Sequence, residues 1–163
     1  MTRAISMIVY DFDGVLTDNK VYFSQDGQEM VVCHRGDGWW IGEIGKLGIN
    51  QLILSTETNP VVSARGNKLG IEVWQGEKDK GKALERIVQE KKMTLSQILY
   101  VGNDMNDFEC FRRAGWTCAP KDSHPKILEL ARTVLPVAGG QGVVRYIFDL
   151  CLELNFEKNS GYR

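Results

Sequence analysis

The sequence lacks the features that mark several classes of protein. Its four cysteines form no C-x-x-C pair, and only two histidines are present, which argues against a zinc or dithiol redox centre. No apolar run is long enough to cross a bilayer, and the formal net charge of -1 does not favour nucleic acid or an anionic membrane as a partner. The first residues show no signal-peptide pattern. We therefore expect a cytoplasmic protein with reduced cysteines and neither a nucleic-acid nor a membrane partner.

What the chain does have is a regular alternation of strand and helix patterns. Strands are predicted at 5–10, 50–54, 72–74, 98–101, 117–119 and 133–135, and helices at 38–47, 60–69, 78–92, 104–114, 125–131 and 142–154. Two further strand patterns, 21–23 and 29–33, flank a turn and predict a hairpin. This order predicts an α/β fold: a Rossmann-like parallel sheet with helices on both faces and a small β-hairpin after the first strand. We expect a single domain over 1–163, with a frayed polar tail from residue 155.

A pair of acids follows the first strand pattern. Asp11 and Asp13 are separated by one residue, so both project from the same face of an extended chain. Two buried carboxylates repel each other unless a cation or a shared proton lies between them. A divalent metal would meet this need. So would a division of labour between an ionised nucleophile and a protonated general acid.

Polar residues also follow other predicted strands. The carboxyl ends of parallel strands meet at one edge of a sheet, where α/β proteins bind their ligands. The candidate residues fall in four segments: Asp11 and Asp13; Ser55, Thr56 and Glu57; Lys80; and Asn103, Asp104 and Asp107. Together they suit phosphoryl transfer from a monoester, which needs a nucleophile, an acid and cations. Asp11 would be the nucleophile, Asp13 the general acid and base, Ser55 a hydrogen-bond donor and Lys80 a cation, with Mg²⁺ bound by oxygen ligands.

The four segments together resemble the motifs of the haloacid-dehalogenase-like phosphatase superfamily. They occur in order as Asp11-x-Asp13-Gly14-x-x-Thr17-Asp18, Ser55, Lys80 and Gly102-Asn103-Asp104-x-x-Asp107. The chain has no large insertion, and three further motifs are similar to the capless branch that acts on phosphates of eight- and nine-carbon keto-sugar acids. They are Gly36-Asp37-Gly38, Gln75-Gly76-x-x-Asp79-Lys80 and Gly139-Gly140-x-Gly142-x-x-Arg145. The branch also includes the carboxy-terminal module of some CMP-sialic acid synthetases.

The resemblance implies a cofactor, a substrate class and an assembly. The cofactor would be Mg²⁺, held by Asp11, Asp13 and Asn103, with Asp104 and Asp107 supporting these ligands. The substrate would be a small sugar-acid phosphate. The assembly would be a homotetramer in which a neighbouring subunit covers the site.

Two departures from the family pattern bear on this interpretation. Asn103 stands where the family usually has Asp, so we expect weaker binding of Mg²⁺. The segment that begins at Ser55 differs from the Thr-Gly-Arg typical of octulosonate enzymes and resembles nonulosonate enzymes. We expect Glu57 to accept hydrogen bonds from sugar hydroxyls and Lys68 or Arg65 to contact the sugar carboxylate, with Thr56 also binding the substrate.

Other interpretations remain open at this point. An Asp-x-Asp pair after a strand is often a solvated turn, Lys80 could belong to a solvated charge run, and Ser55 could cap the next helix. A metal site weakened at Asn103 would suit an inactive module that serves oligomerisation of a CMP-sialic acid synthetase. A receiver-type signalling domain also uses Asp, a hydroxyl and Lys, but there the acidic pair and the phosphoacceptor lie on different strands.

Overall fold

The central feature of the fold is a six-stranded parallel sheet. The computed structural model describes residues 5–156. In chain order the strands are β1 (Met7–Tyr10), β2 (Thr17–Phe23), β3 (Glu29–Cys33), β4 (Asn50–Leu54), β5 (Glu72–Trp74), β6 (Ile98–Val101), β7 (Trp116–Pro120) and β8 (Thr133–Leu135). The sheet has the order β5-β4-β1-β6-β7-β8, and β2 and β3 form a separate antiparallel hairpin.

Helices cover both faces of this sheet. They are α1 (Gly36–Lys46), α2 (Val61–Leu69), α3 (Lys80–Glu90), α4 (Phe108–Arg113), α5 (Pro125–Leu130) and α6 (Val143–Asn155). The two central strands, β1 and β6, are buried along their whole length, as expected for strands with both faces covered. Alternate residues of β1 therefore enter two cores, one shared with α1 and α6 and the other with α3 and α4. The predicted α/β fold with its hairpin after the first strand is confirmed.

Several element boundaries differ from the prediction for local reasons. Helix α3 begins at Lys80 because the side chain of Asp79 caps it, accepting a hydrogen bond from Lys82 N at 3.0 Å. The helix predicted over 104–114 is divided into a 3₁₀ turn at Met105–Asp107 and α4. A short 3₁₀ turn at Leu95–Gln97 precedes β6, and a capping box between Thr94 and Gln97 closes it.

The predicted fraying at residue 155 is wrong. Asn155 ends α6, and its side-chain amide exchanges two hydrogen bonds with the backbone of Ile5, each 2.8 Å long. The rest of the predicted tail, 157–163, lies outside the described residues, so the single domain over 1–163 stays a prediction. Within 5–156, none of the helices combines the length and the apolar character that a membrane span requires.

A glycine-rich segment before α6 supports the loop that follows β1. Gly140 N donates to the carbonyl oxygen of Val15 at 2.9 Å. A Cβ atom at Gly139 would lie 2.0 Å from the carbonyl oxygen of Gly14, so no larger residue allows this approach. The two backbones are therefore in direct contact, and the C-terminal helix helps to fix the loop that carries Asp11 and Asp13.

A buried carboxylate links α1 to the start of α6. Asp37 is 1% exposed; its Oδ1 accepts a long hydrogen bond of 3.4 Å from Val144 N, and its Oδ2 has no partner among residues 5–156. Burial raises the pKa of Asp37 to about 6, although the Val144 bond and the charges of His34 and Arg65 oppose the shift. Ionised Asp37 is therefore less stable in the folded protein than in water.

We expect Asp37→Asn to raise the free energy of unfolding by about 1–3 kcal/mol at pH 7.5 and to change it little at pH 4. The folded protein holds the Asp37 proton more tightly than the unfolded chain, whose pKa lies near 3.8. Stability from the protonated form is therefore present below about pH 4 and lost as the pH rises to about 6, whereas Asn stays neutral.

Urea unfolding over a pH series measures this effect. Asp26→Asn, at the exposed turn of the hairpin, controls for the change in net charge. An Asp37→Asn variant less stable than the wild type at pH 7.5 would contradict the prediction.

Candidate active site

The carboxyl ends of three neighbouring strands, β4, β1 and β6, form a cleft of about 310 Å³. Each strand contributes the loop that follows it, as the parallel-sheet rule predicts. The cleft is lined by Asp11, Asp13, Asn19, Ser55, Thr56, Asn103, Asp104 and Asn106. Three of the four predicted segments therefore meet in one cleft.

Lys80, the fourth predicted segment, lies behind the cleft. Its Nζ is 2.6 Å from Asp11 Oδ1 and 2.9 Å from Asp107 Oδ1, and it is 1% exposed. Its place in the first turn of α3 is electrostatically unfavourable for a cation, since the helix dipole is positive there. The two carboxylates offset that cost. Lys80 is thus a buried counter-ion and not part of a solvated charge run.

Asp107 connects Lys80 to the loop after β6. Its Oδ2 accepts hydrogen bonds from Asn103 N at 2.9 Å and Asp104 N at 3.2 Å. Its Oδ1 accepts from Tyr100 Oη at 2.6 Å as well as from Lys80. The carboxylate therefore orients the loop and also holds the lysine.

The charges of this buried cluster are strongly coupled. Burial and the charge of Asp107 raise the pKa of Asp11, and Lys80 only partly compensates. Burial opposes the charge of Lys80, but the two carboxylates outweigh it and raise the pKa of the lysine. The cluster of two carboxylates and one ammonium has one excess negative charge, so it favours a further cation next to Asp11.

Oxygen atoms converge on the side of Asp11 that faces away from Lys80. The side-chain oxygen of Asn103 points at Asp11 Oδ2 and at the carbonyl oxygen of Asp13, two acceptors that offer it no proton. Turning the amide would place its nitrogen 3.1 Å and 2.9 Å from these atoms as a donor. The position therefore needs either an N–H group or a cation.

The spacing fits a divalent metal. Adjacent ligands in an octahedral shell with bonds of about 2.1 Å lie about 3 Å apart. A carboxylate oxygen, a backbone carbonyl and an amide oxygen are also the donors that Mg²⁺ accepts. Among residues 5–156 no group of three or more His, Cys, Asp or Glu side chains could hold a metal ion. The candidate ligands differ from such a group, since one is the backbone carbonyl of Asp13 and another is the amide of Asn103.

Gly14 makes room for Asn103 in this arrangement. Its φ of +79° is in the left-handed region, and a Cβ there would lie 2.0 Å from the Asn103 side-chain nitrogen. The hydroxyl of Thr17 accepts from Gly14 N at 3.2 Å and so closes the same turn. This explains the spacing of Gly14 and Thr17 in the first motif: the Thr17 hydroxyl closes a tight turn, and Gly14 in that turn packs against the Asn103 side chain.

Asp13 is half-buried and lines the open part of the cleft. Burial raises its pKa, the charge of Glu57 raises it further, and Lys80 and Thr17 partly oppose the shift. The Ser55 hydroxyl is buried, and its oxygen accepts from Glu57 N at 3.1 Å. Its own proton remains able to donate into the cleft. The site thus offers a carboxylate beside a lysine, a second carboxyl group whose pKa is raised, and a hydroxyl donor.

Two predicted substrate-binding residues do not reach this cleft. Arg65 and Lys68 line a second cavity of about 350 Å³ that also includes Arg35 and shares no lining residue with the cleft. Arg65 is directed away from the cleft because its guanidinium donates to the carbonyl oxygen of His34 at 3.0 Å. Within one chain, therefore, these cations and the acidic residues form separate sites.

The sequence motifs do not predict two of the residues that line the cleft, Asn19 and Asn106. Asn19 has a left-handed φ of 65°, and its backbone N donates to the Thr17 hydroxyl at 3.1 Å. Asn106 is within 3.4 Å of Thr56 Oγ1, which joins two loops of the cleft. Asn19 directly follows the first motif and Asn106 lies at a variable position of the last, so only their polarity and proximity to a motif could have suggested them.

Comparisons with known proteins identify the family of the chain. Residues 49–147 match the haloacid dehalogenase-like hydrolase family. The chain is 31% identical over 155 residues to the 3-deoxy-D-manno-octulosonate 8-phosphate phosphatase KdsC of Salmonella typhi, an alignment that covers 93% of this chain and 82% of that protein.

Two solved structures extend the comparison. The 3-deoxy-D-manno-octulosonate 8-phosphate phosphatase of Moraxella catarrhalis, in complex with magnesium, phosphate and KDO, superposes with a TM-score of 0.88 at 26% identity, covering 93% of this chain and 87% of that one. The cobalt-bound phosphatase of Haemophilus influenzae superposes with a TM-score of 0.87 at 28% identity, covering 92% and 88%. The chain belongs to the haloacid dehalogenase-like hydrolases and is a phosphoric monoester hydrolase.

Proposed function

We propose that this protein is a Mg²⁺-dependent phosphatase of a keto-sugar acid phosphate, either a nonulosonate 9-phosphate or an octulosonate 8-phosphate. The observation that carries the proposal is Asp11, a buried carboxylate that Lys80 holds at 2.6 Å at the base of a cleft shared with Asp13. This arrangement supports transfer of a phosphoryl group to Asp11 and its release by water. The relatives named above act on an octulosonate 8-phosphate, which supports the sugar-acid class.

The proposed reaction has two steps. In the first, Asp11 attacks phosphorus, the bond to the sugar oxygen breaks, and Asp13 gives its proton to that oxygen. In the second, Asp13 takes a proton from a water molecule that attacks the aspartyl phosphate, which releases inorganic phosphate and regenerates Asp11. The raised pKa of Asp13 favours the protonated form that the first step requires.

The other groups of the cleft stabilise charge. Lys80 offsets the negative charge of Asp11, and the Ser55 hydroxyl donates to a phosphoryl oxygen. A divalent metal held by Asp11 Oδ2, the Asp13 carbonyl and the Asn103 amide oxygen would supply positive charge that reduces repulsion between Asp11 and the phosphoryl group.

We place the sugar next to Thr56 and Glu57, at the outer part of the cleft. Thr56 lines the cleft, and Glu57 is near enough for its charge to raise the pKa of Asp13. Arg65 and Lys68 would then meet the sugar carboxylate from a neighbouring subunit, since within one chain they line the separate cavity.

Self-association is part of this proposal. The hairpin of β2 and β3 exposes several large apolar side chains to water, and an exposed apolar surface of this kind favours contact with another protein surface. Their exposed fractions are 51% for Val21, 64% for Tyr22, 69% for Phe23, 65% for Met30 and 43% for Val32. We propose that this surface joins copies of the chain in a homotetramer. The four cysteines are free thiols, which suits a cytoplasmic location.

A panel of octulosonate and nonulosonate phosphates tests the activity. With Mg²⁺ present we expect the wild type to release phosphate from at least one of them and Asp11→Asn to lower kcat at least roughly 1,000-fold, because an amide does not form the phosphoenzyme. Glu57→Ala is expected to alter the preference between the two sugar classes.

The same panel tests the alternative, an inactive oligomerisation module. If the wild type releases no phosphate from any member, the module is favoured and the phosphatase proposal fails. If Asp11→Asn retains wild-type kcat, another residue is the nucleophile.

Replacing Asn103 by Asp is expected to tighten Mg²⁺ binding roughly 10-fold, because a carboxylate adds a charge that the neutral amide lacks. Isothermal titration of Mg²⁺ into the metal-free protein measures the change. Asn106→Asp, which adds the same charge at the edge of the cleft, is the matched control. Equal affinity of wild type and Asn103→Asp would show that Asn103 does not bind the metal.

Charging the hairpin is expected to separate the subunits. We expect Tyr22→Glu with Phe23→Glu to give monomers by light scattering after gel filtration, while the wild type elutes as a tetramer. Val134→Glu, a charge at another apolar side chain that is 48% exposed, should leave the assembly intact. An unchanged mass for the doubly substituted chain would place the interface elsewhere.

A further inference from the structure

Tyr100 is a buried polar side chain that the proposed mechanism does not use. It lies in β6 with 0% exposure, beneath α4, where its ring meets Phe111 edge-on at a centroid distance of 5.9 Å. Its hydroxyl nevertheless points to the site and donates to Asp107 Oδ1 at 2.6 Å. A core position would be filled as well by Phe, so the hydroxyl needs a separate explanation.

The hydroxyl completes the set of donors around Asp107. Oδ2 of this carboxylate accepts from Asn103 N and Asp104 N, and Oδ1 accepts from Tyr100 and Lys80. Each oxygen therefore has two donors, which is the ordinary capacity of a carboxylate oxygen. The two backbone N–H groups and the Tyr100 hydroxyl are uncharged donors. Lys80 is therefore the one charged donor among these four.

Asp107 and Asp11 compete for the same ammonium group. Lys80 Nζ lies 2.6 Å from Asp11 Oδ1 and 2.9 Å from Asp107 Oδ1, in surroundings that exclude water. If the Tyr100 hydroxyl were removed, Asp107 Oδ1 would lose one hydrogen-bond donor, and the negative charge of Asp107 would be less stabilised. Lys80 would then be drawn towards Asp107 and away from Asp11.

We propose that the hydroxyl of Tyr100 is a positioning group that, by satisfying Asp107, keeps Lys80 directed at Asp11. The inference rests on the proposed function and identifies a further residue on which phosphoryl transfer depends. Tyr100 is not among the residues that line the cleft, so its hydroxyl reaches Asp11 through Asp107 and Lys80.

The chain contains a matched control in the adjacent strand. Tyr10 in β1 is also 0% exposed, but its side chain enters the opposite core. Its hydroxyl donates to Gln51 Oε1 at 3.0 Å, away from the site. Tyr10→Phe therefore removes one buried hydroxyl with the same change in volume and without touching Asp107.

Steady-state kinetics of the two variants test the proposal on the best substrate of the wild type. We expect Tyr100→Phe to lower kcat roughly 10-fold or more with KM within about twofold, because a small displacement of a charge-stabilising group affects mainly the transition state. Tyr10→Phe should keep both constants within about twofold. Thermal unfolding of both variants shows whether their loss of stability is similar, as expected for two buried hydroxyl groups.

A binding assay separates this proposal from the activity itself. Beryllofluoride with Mg²⁺ mimics a phosphoryl group on a carboxylate, and its binding is followed by the rise in Tm. We expect half-saturation at roughly 10-fold higher beryllofluoride in Tyr100→Phe than in the wild type or Tyr10→Phe, since Lys80 no longer balances the charge at Asp11.

Wild-type values of kcat and of half-saturation in Tyr100→Phe would overturn the role of Tyr100. Equal losses in Tyr100→Phe and Tyr10→Phe would overturn it as well, since they would reflect core stability. If the wild type hydrolyses no phosphate ester, the proposed function fails, and the beryllofluoride comparison alone decides the role of Tyr100. If the wild type and Tyr10→Phe also fail to bind beryllofluoride, then Lys80 and Asp107 do not position Asp11 to bind a phosphoryl group, and the inference fails.

Discussion

A lysine buried between two carboxylates is the interaction on which the rest of the site depends. Lys80 lies within 3 Å of both Asp11 and Asp107, and all three side chains are almost inaccessible to solvent. Such a cluster is costly to bury and stabilises a fold weakly, if at all, compared with apolar residues of the same size. A chemical use explains it better: the cluster holds the Asp11 carboxylate at the floor of a cleft, with its second oxygen directed at the Asn103 side chain.

The fold provides this geometry by bringing three loops to one edge of the sheet. β1 contributes Asp11, β4 contributes Ser55 and β6 contributes the Asn103 loop, while α3 supplies Lys80 from below. The glycine-rich segment before α6 fixes the first loop from the other side through its backbone contact at Gly139. Parts of the chain that are distant in sequence therefore control the position of a few oxygen atoms.

The sequence predicted the elements well and the contacts between side chains less well. Periodicity located the strands, and the rule for parallel sheets placed Asp11, Ser55 and Asn103 at one edge. It did not predict that Arg65 lies in a separate cavity, because a hydrogen bond to the His34 carbonyl, distant in sequence, sets its direction. Nor did it identify Tyr100, since an apolar strand pattern gives no sign of where one hydroxyl group points.

We expect the excess negative charge at Asp11 to be balanced by a metal bound to three particular oxygen atoms. X-ray diffraction from crystals soaked in Mn²⁺, with the anomalous signal used to locate the ion, tests it most directly. One ion is expected about 2.1–2.2 Å from Asp11 Oδ2, the Asp13 carbonyl oxygen and the Asn103 side-chain oxygen. An empty position at saturating Mn²⁺, with the Asn103 nitrogen turned towards Asp11, would contradict it.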